Sequence, residues 1–255
     1  MSIHPTAIVD KTAQIGSNVE IGAFTLVGAN VTISDNTRIA NNVTIKNNTR
    51  IGKDCHIFQG SVLGEVPQDL KFGGEDTYLE IGDRTTVREF CTLNRGTSEL
   101  GKTSIGSDIL LMAYVHVAHD CIIKDKVILA NGVQLGGHVK IGYHSAVGGM
   151  TPVHQFCNIG EHAFVGGGFR VVQDIPPYIL ASGEPLLYTG LNIVGLRRRG
   201  FSQNTRTLIK RAYRLIFKSN LNRTEAISKI RSEFEITGEI RTIVDFIENS
   251  ERGII

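Results

Sequence analysis

The chain has 255 residues, enough for one large domain and a small one. Its 27 Lys+Arg nearly balance 25 Asp+Glu, which argues against a dedicated nucleic-acid binder. No run approaches the roughly 18 apolar residues of a membrane span. Met1-Ser2-Ile3-His4-Pro5 has neither the basic nor the apolar region of a secretory signal, so a cytoplasmic protein is expected. Trp is absent, aromatics are few and Gly reaches 28, which suits a thin coiled chain better than a globule around an aromatic core.

From Ile3 to Val171 every sixth residue is Ile, Val or Leu, except Asp69, Glu75 and Glu99. A period of six is neither that of a helix nor that of one long strand. It needs a short strand, a corner and another strand. Three such units close a triangular coil of about 18 residues, and stacked coils make a parallel β-helix. The residue two before each aliphatic also points inward, as at Ala13, Val19, Thr25, Val31, Thr37, Val43 and Thr49. Cys55, Cys91, Cys121 and Cys157 occupy this inward position and read as small core residues rather than disulfide or metal partners. Corners need residues that tolerate a left-handed backbone. Asn18, Asn30, Asn36, Asn42, Asn48, Gly60, Gly96, Gly132 and Gly168 recur three places after the aliphatic.

Two breaks interrupt the period, at 64–78 and at 97–102, and predict loops thrown out of the coil. Long loops on a regular scaffold often carry function. The pattern ends near Pro176-Pro177, and a link through Gly183, Pro185 and Gly190 follows. Helices are predicted over 202–219, 224–235 and 239–249. The division is thus a repeat domain over 1–185 and a helical domain over 186–255 that caps one end of the solenoid.

Six histidines lie between positions 116 and 162. His138, His144 and His162 fall at the corner position, where His is enriched for conformational reasons alone. His116, His119 and His154 should point outward. Residues eighteen apart stack directly, so His119 lies beneath Gly137 and Gly137 beneath Gln155. An outward base below an unobstructed backbone amide is what acyl transfer to a hydroxyl requires. Zinc is the rival use of clustered histidines. Some hexapeptide-repeat proteins place two zinc ligands two coils apart, and no histidine pair here is 36 residues apart. Arg197-Arg198-Arg199, followed by Arg206, Lys210, Arg211, Arg214 and Lys218, reads either as a solvated helix face or as a site for phosphate or an acidic protein.

Several non-repetitive segments carry a resemblance: Gly64–Lys71, Asn94-Arg95-Gly96-Thr97, His116–Cys121, Gly136-Gly137-His138, Val153-His154-Gln155-Phe156 and Gly195–Phe201. In this order, over essentially the whole chain, they resemble the UDP-N-acetylglucosamine 3-O-acyltransferase family of bacterial lipid A assembly. The resemblance implies an all-β solenoid, a left-handed parallel β-helix of hexapeptide repeats with a small C-terminal α-helical domain. The handedness comes from the resemblance alone, since it opposes the usual crossover rule. It implies His119 as general base, Asp120 as its orienting partner and the Gly137 amide as oxyanion donor. Asp69 and Lys71 would contact the sugar and its phosphate, with Gln68 nearby. His116, His138, His154 and Gln155 would line the cleft. Asn192, Arg198 and Arg199 would hold the nucleotide and diphosphate.

The family resemblance also implies a homotrimer whose clefts lie between subunits. Gly167 matches the position that limits acyl length and would admit a long 3-hydroxyacyl chain. Better-known members carry a His near the nucleotide base where this chain has Pro185, so uracil recognition should differ. The implied acyl donor is an acidic acyl carrier protein, matched by the basic face from Arg197 to Lys218. No metal or redox cofactor is implied. Two alternatives stay open. One is N-acyl transfer to an amino sugar nucleotide; the later N-acyltransferase of the same pathway usually carries an extra N-terminal domain, whereas repeats here begin at Ile3. The other is a non-catalytic scaffold, which predicts no effect of replacing His119.

Overall fold

The computed structural model describes residues 1–255. Short strands stack into three parallel sheets of eleven, eight and eight strands, the walls of a triangular prism. The chain forms a left-handed parallel β-helix followed by a helical part. Ile3 pairs with Ile21 and Ile21 with Ile39, the eighteen-residue step expected of the period. Across the first loop Ile57 pairs instead with Val87, and across the second Val87 pairs with Leu111. Beyond both loops the aliphatic column resumes its register, with one shift between Leu63 and Glu65 where the first loop departs.

The core is the aliphatic column, with Ile33, Ile45, Leu63, Leu93 and Leu111 essentially fully buried. Burying each such side chain is worth about 1.5–3 kcal/mol. The second inward column carries hydroxyls and thiols, and these staple successive coils. Thr25 Oγ1 donates to the Ala40 carbonyl at 2.8 Å and accepts from the Val43 amide at 3.2 Å. Thr37, Ser61 and Thr85 repeat this two-way contact with the following coil. The Sγ atoms of Cys55, Cys91 and Cys121 reach the equivalent carbonyls at 3.1–3.2 Å. All four cysteines are free and buried.

Corner residues adopt positive φ, including Asn18, Asn30, Asn36, Asn42, Asn48, Gly60, Gly132 and Gly168. Asn18 and Asn36 offset part of that cost through a side-chain ladder at 3.2 Å. Gly96 is an exception: its φ is not left-handed. It is required because any Cβ there would collide with the backbone of Lys102, where the second loop pinches closed.

The stack also runs past Pro176-Pro177. Ile179–Ser182 pairs in parallel with Phe164–Val165, and Leu187–Leu191 folds back antiparallel to end the largest sheet. Four helices follow rather than three: α1 (Ile193–Arg198), α2 (Gln203–Lys218), α3 (Arg223–Glu233) and α4 (Gly238–Glu248). α1 is too short to show helical periodicity. Gly238 opens α4, behind the Thr237 cap. α2 buries Ile209, Ala212 and Tyr213, and Tyr213 donates to the Pro177 carbonyl at 2.6 Å. The C-terminal segment crosses back, with Ser250 donating to buried Asp174 at 2.7 Å.

Candidate active site

One edge of the prism collects the predicted chemistry. Its corners carry His119-Asp120, Gly137-His138 and Gln155-Phe156, and Asp120, His138 and Phe156 all have positive φ. Turning the chain at these residues presents the preceding side chain, or its absence at Gly137, on the outer edge. His119 lies flat over Gly137: a Cβ there would sit 2.7 Å from both Cε1 and Nε2 of the imidazole.

The Gly137 amide donates to no acceptor in the protein. Some equivalent corner amides are capped by a side chain from the next coil, while others, such as those of Asn41 and Tyr143, are open like that of Gly137. Ser17, Lys53 and Ser107 donate to Asp35, Asp83 and Asp125, each at 2.8 Å, and Ala29 donates to Asn47. Above Gly137 the capping position is Gln155, which makes no such bond. The site thus has an unspent N–H beside a histidine, in the arrangement that can stabilise a developing oxyanion.

His119 Nδ1 is 2.8 Å from Asp120 Oδ2, and the Asp120 side chain is fully buried. Burial pushes this carboxyl up, but hydrogen bonds from His119 and from the hydroxyl and amide of Thr97 outweigh it. The carboxyl is held below the usual range. An ionised Asp120 can only accept, so His119 carries its proton on Nδ1 and leaves Nε2 as a free base. Asp120 is therefore more than a turn residue: it turns the corner and holds the histidine.

His138 packs edge-on against His119 with centroids 5.1 Å apart and stacks on Phe156 at 4.5 Å. Its Nε2 lies 3.5 Å from Glu99 and 3.7 Å from Asp120. His116 stands on the neighbouring strand with Nδ1 2.8 Å from Thr92 Oγ1. Burial pushes the His116 imidazole pKa down, aided by His119. His154 and Gln155 are exposed at the same edge, and His154 Nδ1 approaches the Gln155 carbonyl at 3.1 Å. The ligand atoms of His119, Asp120 and His138 lie within 4.8 Å of one another, close enough for a metal. Asp120 Oδ2, however, already takes donors from Thr97 and His119, which a cation would have to displace.

The first loop holds Gln68 and Lys71 exposed, while Asp69 Oδ1 accepts from the Lys71 amide at 2.9 Å and shapes the turn. The loop is tied to the core of the site through Asn94, which donates to the Val66 carbonyl at 2.6 Å, and through Arg95, stacked over Phe72. Gly167 sits exposed on a second edge, where a Cβ would lie 3.0 Å from the Gly149 carbonyl.

Asn192, Arg198 and Arg199 are not beside His119. Asn192 and Arg199 meet the third edge, that of His144 and His162, and Arg198 is exposed at the end of α1. Asn192 caps α1 through Gly195 and donates to the His162 carbonyl at 3.0 Å. Arg199 Nη1 is 3.1 Å from His162 Nδ1 and has no carboxylate partner. Burial, reinforced by Arg199 and His144, pushes the His162 imidazole down to about 4. The arginine run lies at the exit of α1, with Arg197 and Arg198 in its last turn and Arg199 as its C-cap. Thr97, Thr103 and Glu99 were missed. The signal for Thr97 was its place in the Asn94–Thr97 segment.

Known proteins resemble this chain along its whole length. A family described as UDP-N-acetylglucosamine O-acyltransferase, domain 2, matches residues 174–255, and the bacterial transferase hexapeptide repeat matches 12–47 and 102–137. An acyl-[acyl-carrier-protein]–UDP-N-acetylglucosamine O-acyltransferase from Thiobacillus denitrificans is 50% identical, covering 100% of this chain and 99% of the relative. One of the same name from Herminiimonas arsenicoxydans is 50% identical over 99% and 98%. The solved LpxA from Bacteroides fragilis, a UDP-N-acetylglucosamine acyltransferase, superposes with a TM-score of 0.98 at 46% identity, covering 99% of each chain. LpxA from Acinetobacter baumannii gives 0.97 at 46% identity over 100% of each. Fold and relatives together define an acyltransferase of the hexapeptide-repeat class. Within that class the chain belongs to the UDP-N-acetylglucosamine O-acyltransferase family.

Proposed function

We propose that the protein transfers a (3R)-3-hydroxyacyl group from acyl carrier protein to the 3-hydroxyl of UDP-N-acetylglucosamine, the first step of lipid A biosynthesis. The carrying observation is His119, fixed by Asp120, lying over the uncapped Gly137 amide. His119 Nε2 removes the sugar hydroxyl proton as the oxygen attacks the thioester carbonyl. The Gly137 N–H receives the oxyanion. Collapse breaks the C–S bond, and the departing thiolate takes the proton back from His119. Gln68, Asp69 and Lys71 bind the sugar and its phosphate, His116, His138, His154 and Gln155 line the cleft, and Gly167 bounds the acyl groove.

The active assembly in this reading is a homotrimer. Arg199 and His119 stand on different edges of the prism, so a nucleotide held by Asn192, Arg198 and Arg199 of one subunit reaches the base of its neighbour. Outward Leu110, Ile128, Ala146 and Phe164 line up on one wall and supply an apolar contact. Lys210, Arg211, Arg214 and Lys218 are exposed on α2 and offer an acidic carrier protein a complementary surface. Four free thiols and the absence of any helix long and apolar enough to cross a membrane suit a cytoplasmic enzyme.

The test is transfer from 3-hydroxyacyl carrier protein to UDP-N-acetylglucosamine and, separately, to its 3-amino analogue, with His119→Ala alongside. Product from the hydroxyl sugar, falling by about 10²-fold or more in the variant, supports the reading. Product from the amino analogue alone changes the acceptor. No product from either, in folded protein, overturns it.

A further inference from the structure

The second loop begins and ends on Asp120. At its start, the Thr97 amide reaches Oδ1 and Oδ2 at 3.1 Å each, and the Thr97 hydroxyl reaches Oδ2 at 2.7 Å. At its end, Thr103 Oγ1 accepts from the Asp120 amide at 2.8 Å. The Thr97 hydroxyl also accepts from the Glu99 amide at 3.2 Å, which leaves its own proton for the carboxylate. Thr97 is itself held, its carbonyl accepting from Gly101 at 2.8 Å and Gly96 pressed against Lys102.

We propose that Thr97 is a positioning residue for the catalytic pair: it sets the plane of the Asp120 carboxylate so that Oδ2 faces His119 Nδ1. The inference rests on the general-base reading of His119. Oδ2 takes the histidine proton and the threonine hydroxyl together, so the two bonds are geometrically linked. A fully buried carboxylate has no water with which to replace a lost donor, so without the hydroxyl only the shared Thr97 amide opposes His119 and the group can tilt. Rotation loosens the imidazole and weakens its commitment to the tautomer with a free Nε2. Other corner aspartates differ. Asp108, for example, is an exposed partner of Arg84. The loop that interrupts the repeat thereby acts as a clamp on the base.

The test uses Thr97→Val, which keeps the shape and removes the hydroxyl, with Thr97→Ser, Asp120→Ala and His119→Ala. In Thr97→Val, kcat should fall about tenfold while KM for both substrates stays within about twofold. Thr97→Ser should restore most of the loss. In an Asp120→Ala background, Thr97→Val should cost less than about twofold more, because the two act as one unit. Wild-type kcat in Thr97→Val overturns the proposal. So does a loss confined to KM, or a full tenfold loss that persists without Asp120, which would make Thr97 a loop anchor only. If Thr97→Val does not fold, Thr97→Cys replaces it under the same criteria. His119→Ala separates the two levels: an active variant sinks the base assignment, whereas an inactive one beside an unaffected Thr97→Val sinks this inference alone.

Discussion

Gly137→Ala tests the site with one methyl group. Gly137 does not have a left-handed backbone, so alanine brings no conformational penalty there. Its Cβ would stand 2.7 Å from Cε1 and Nε2 of His119, and 3.3 Å from Nδ1, where ordinary contacts begin at 3.4 Å. The ring must therefore retreat by about 0.7–1 Å. It is tethered to Asp120 at 2.8 Å and cannot swing without lengthening that bond. Overpacking of this size costs about 1–3 kcal/mol of stability. A misplacement of about 1 Å at a reacting group costs about 10²-fold in rate. The methyl also shields the Gly137 amide, the proposed oxyanion donor. Steady-state transfer from 3-hydroxyacyl carrier protein should show kcat lowered about 10²-fold with a modest change in melting temperature. Gly238→Ala, where a methyl meets nothing, controls for loss of a glycine. A folded Gly137→Ala enzyme with kcat within about twofold of wild type would refute the stacking of base and amide as the seat of catalysis.

Acid should act through His162. Its ordinary pKa of 6.5 falls to about 4 in the fold, so the native chain binds fewer protons between those values. Stability should then fall as pH drops from 6.5 toward 4, by at most roughly 3 kcal/mol. Denaturant melts should show this, and His162→Phe should remove it; an unchanged slope in that variant would exclude His162 as the source. The native imidazole stays neutral until pH nears 4; protonation there would set two cations side by side at Arg199, so KM for the nucleotide sugar should rise only close to that pH. Gly167→Met, on its exposed edge, should shift preference toward shorter acyl donors; an unchanged chain-length profile would remove Gly167 from the groove. Burial pushes the thiols of Cys91 and Cys121 up to about 12. Thiol reagents at pH 8 should therefore label native protein slowly and label all four cysteines once it is denatured, as mass spectrometry would read.

The prism was legible because its cause is periodic. Each aliphatic at the six-residue step and each Asn at a corner states the same local rule, and stacking repeats it. His119 over Gly137 followed from the same arithmetic, since register converts sequence distance into contact. What escaped the sequence was aperiodic. Thr97 reaches Asp120 only because the second loop closes on Gly96, and no repeat encodes that closure. Arg199 meets His162 because α1, six residues long, turns the chain over the last coils. Gly96 itself fitted the corner pattern by position and serves another purpose. Tertiary closure decided each of these cases.

The inward hydroxyls give the stack a direction. Thr25, Thr37 and Ser61 bond only forward, to carbonyls and amides of the coil that follows them in the chain, and Thr85 bonds chiefly so. During synthesis, each newly emerged coil therefore holds unsatisfied buried groups until roughly another turn of polypeptide has left the ribosome. Growth proceeds from the first coil toward the helices, every turn completing its predecessor and waiting on its successor. The last turns, which carry His119, Gly137 and the edge where Arg199 meets His162, are completed last. The growing chain acquires its chemistry only when the solenoid beneath it is already built.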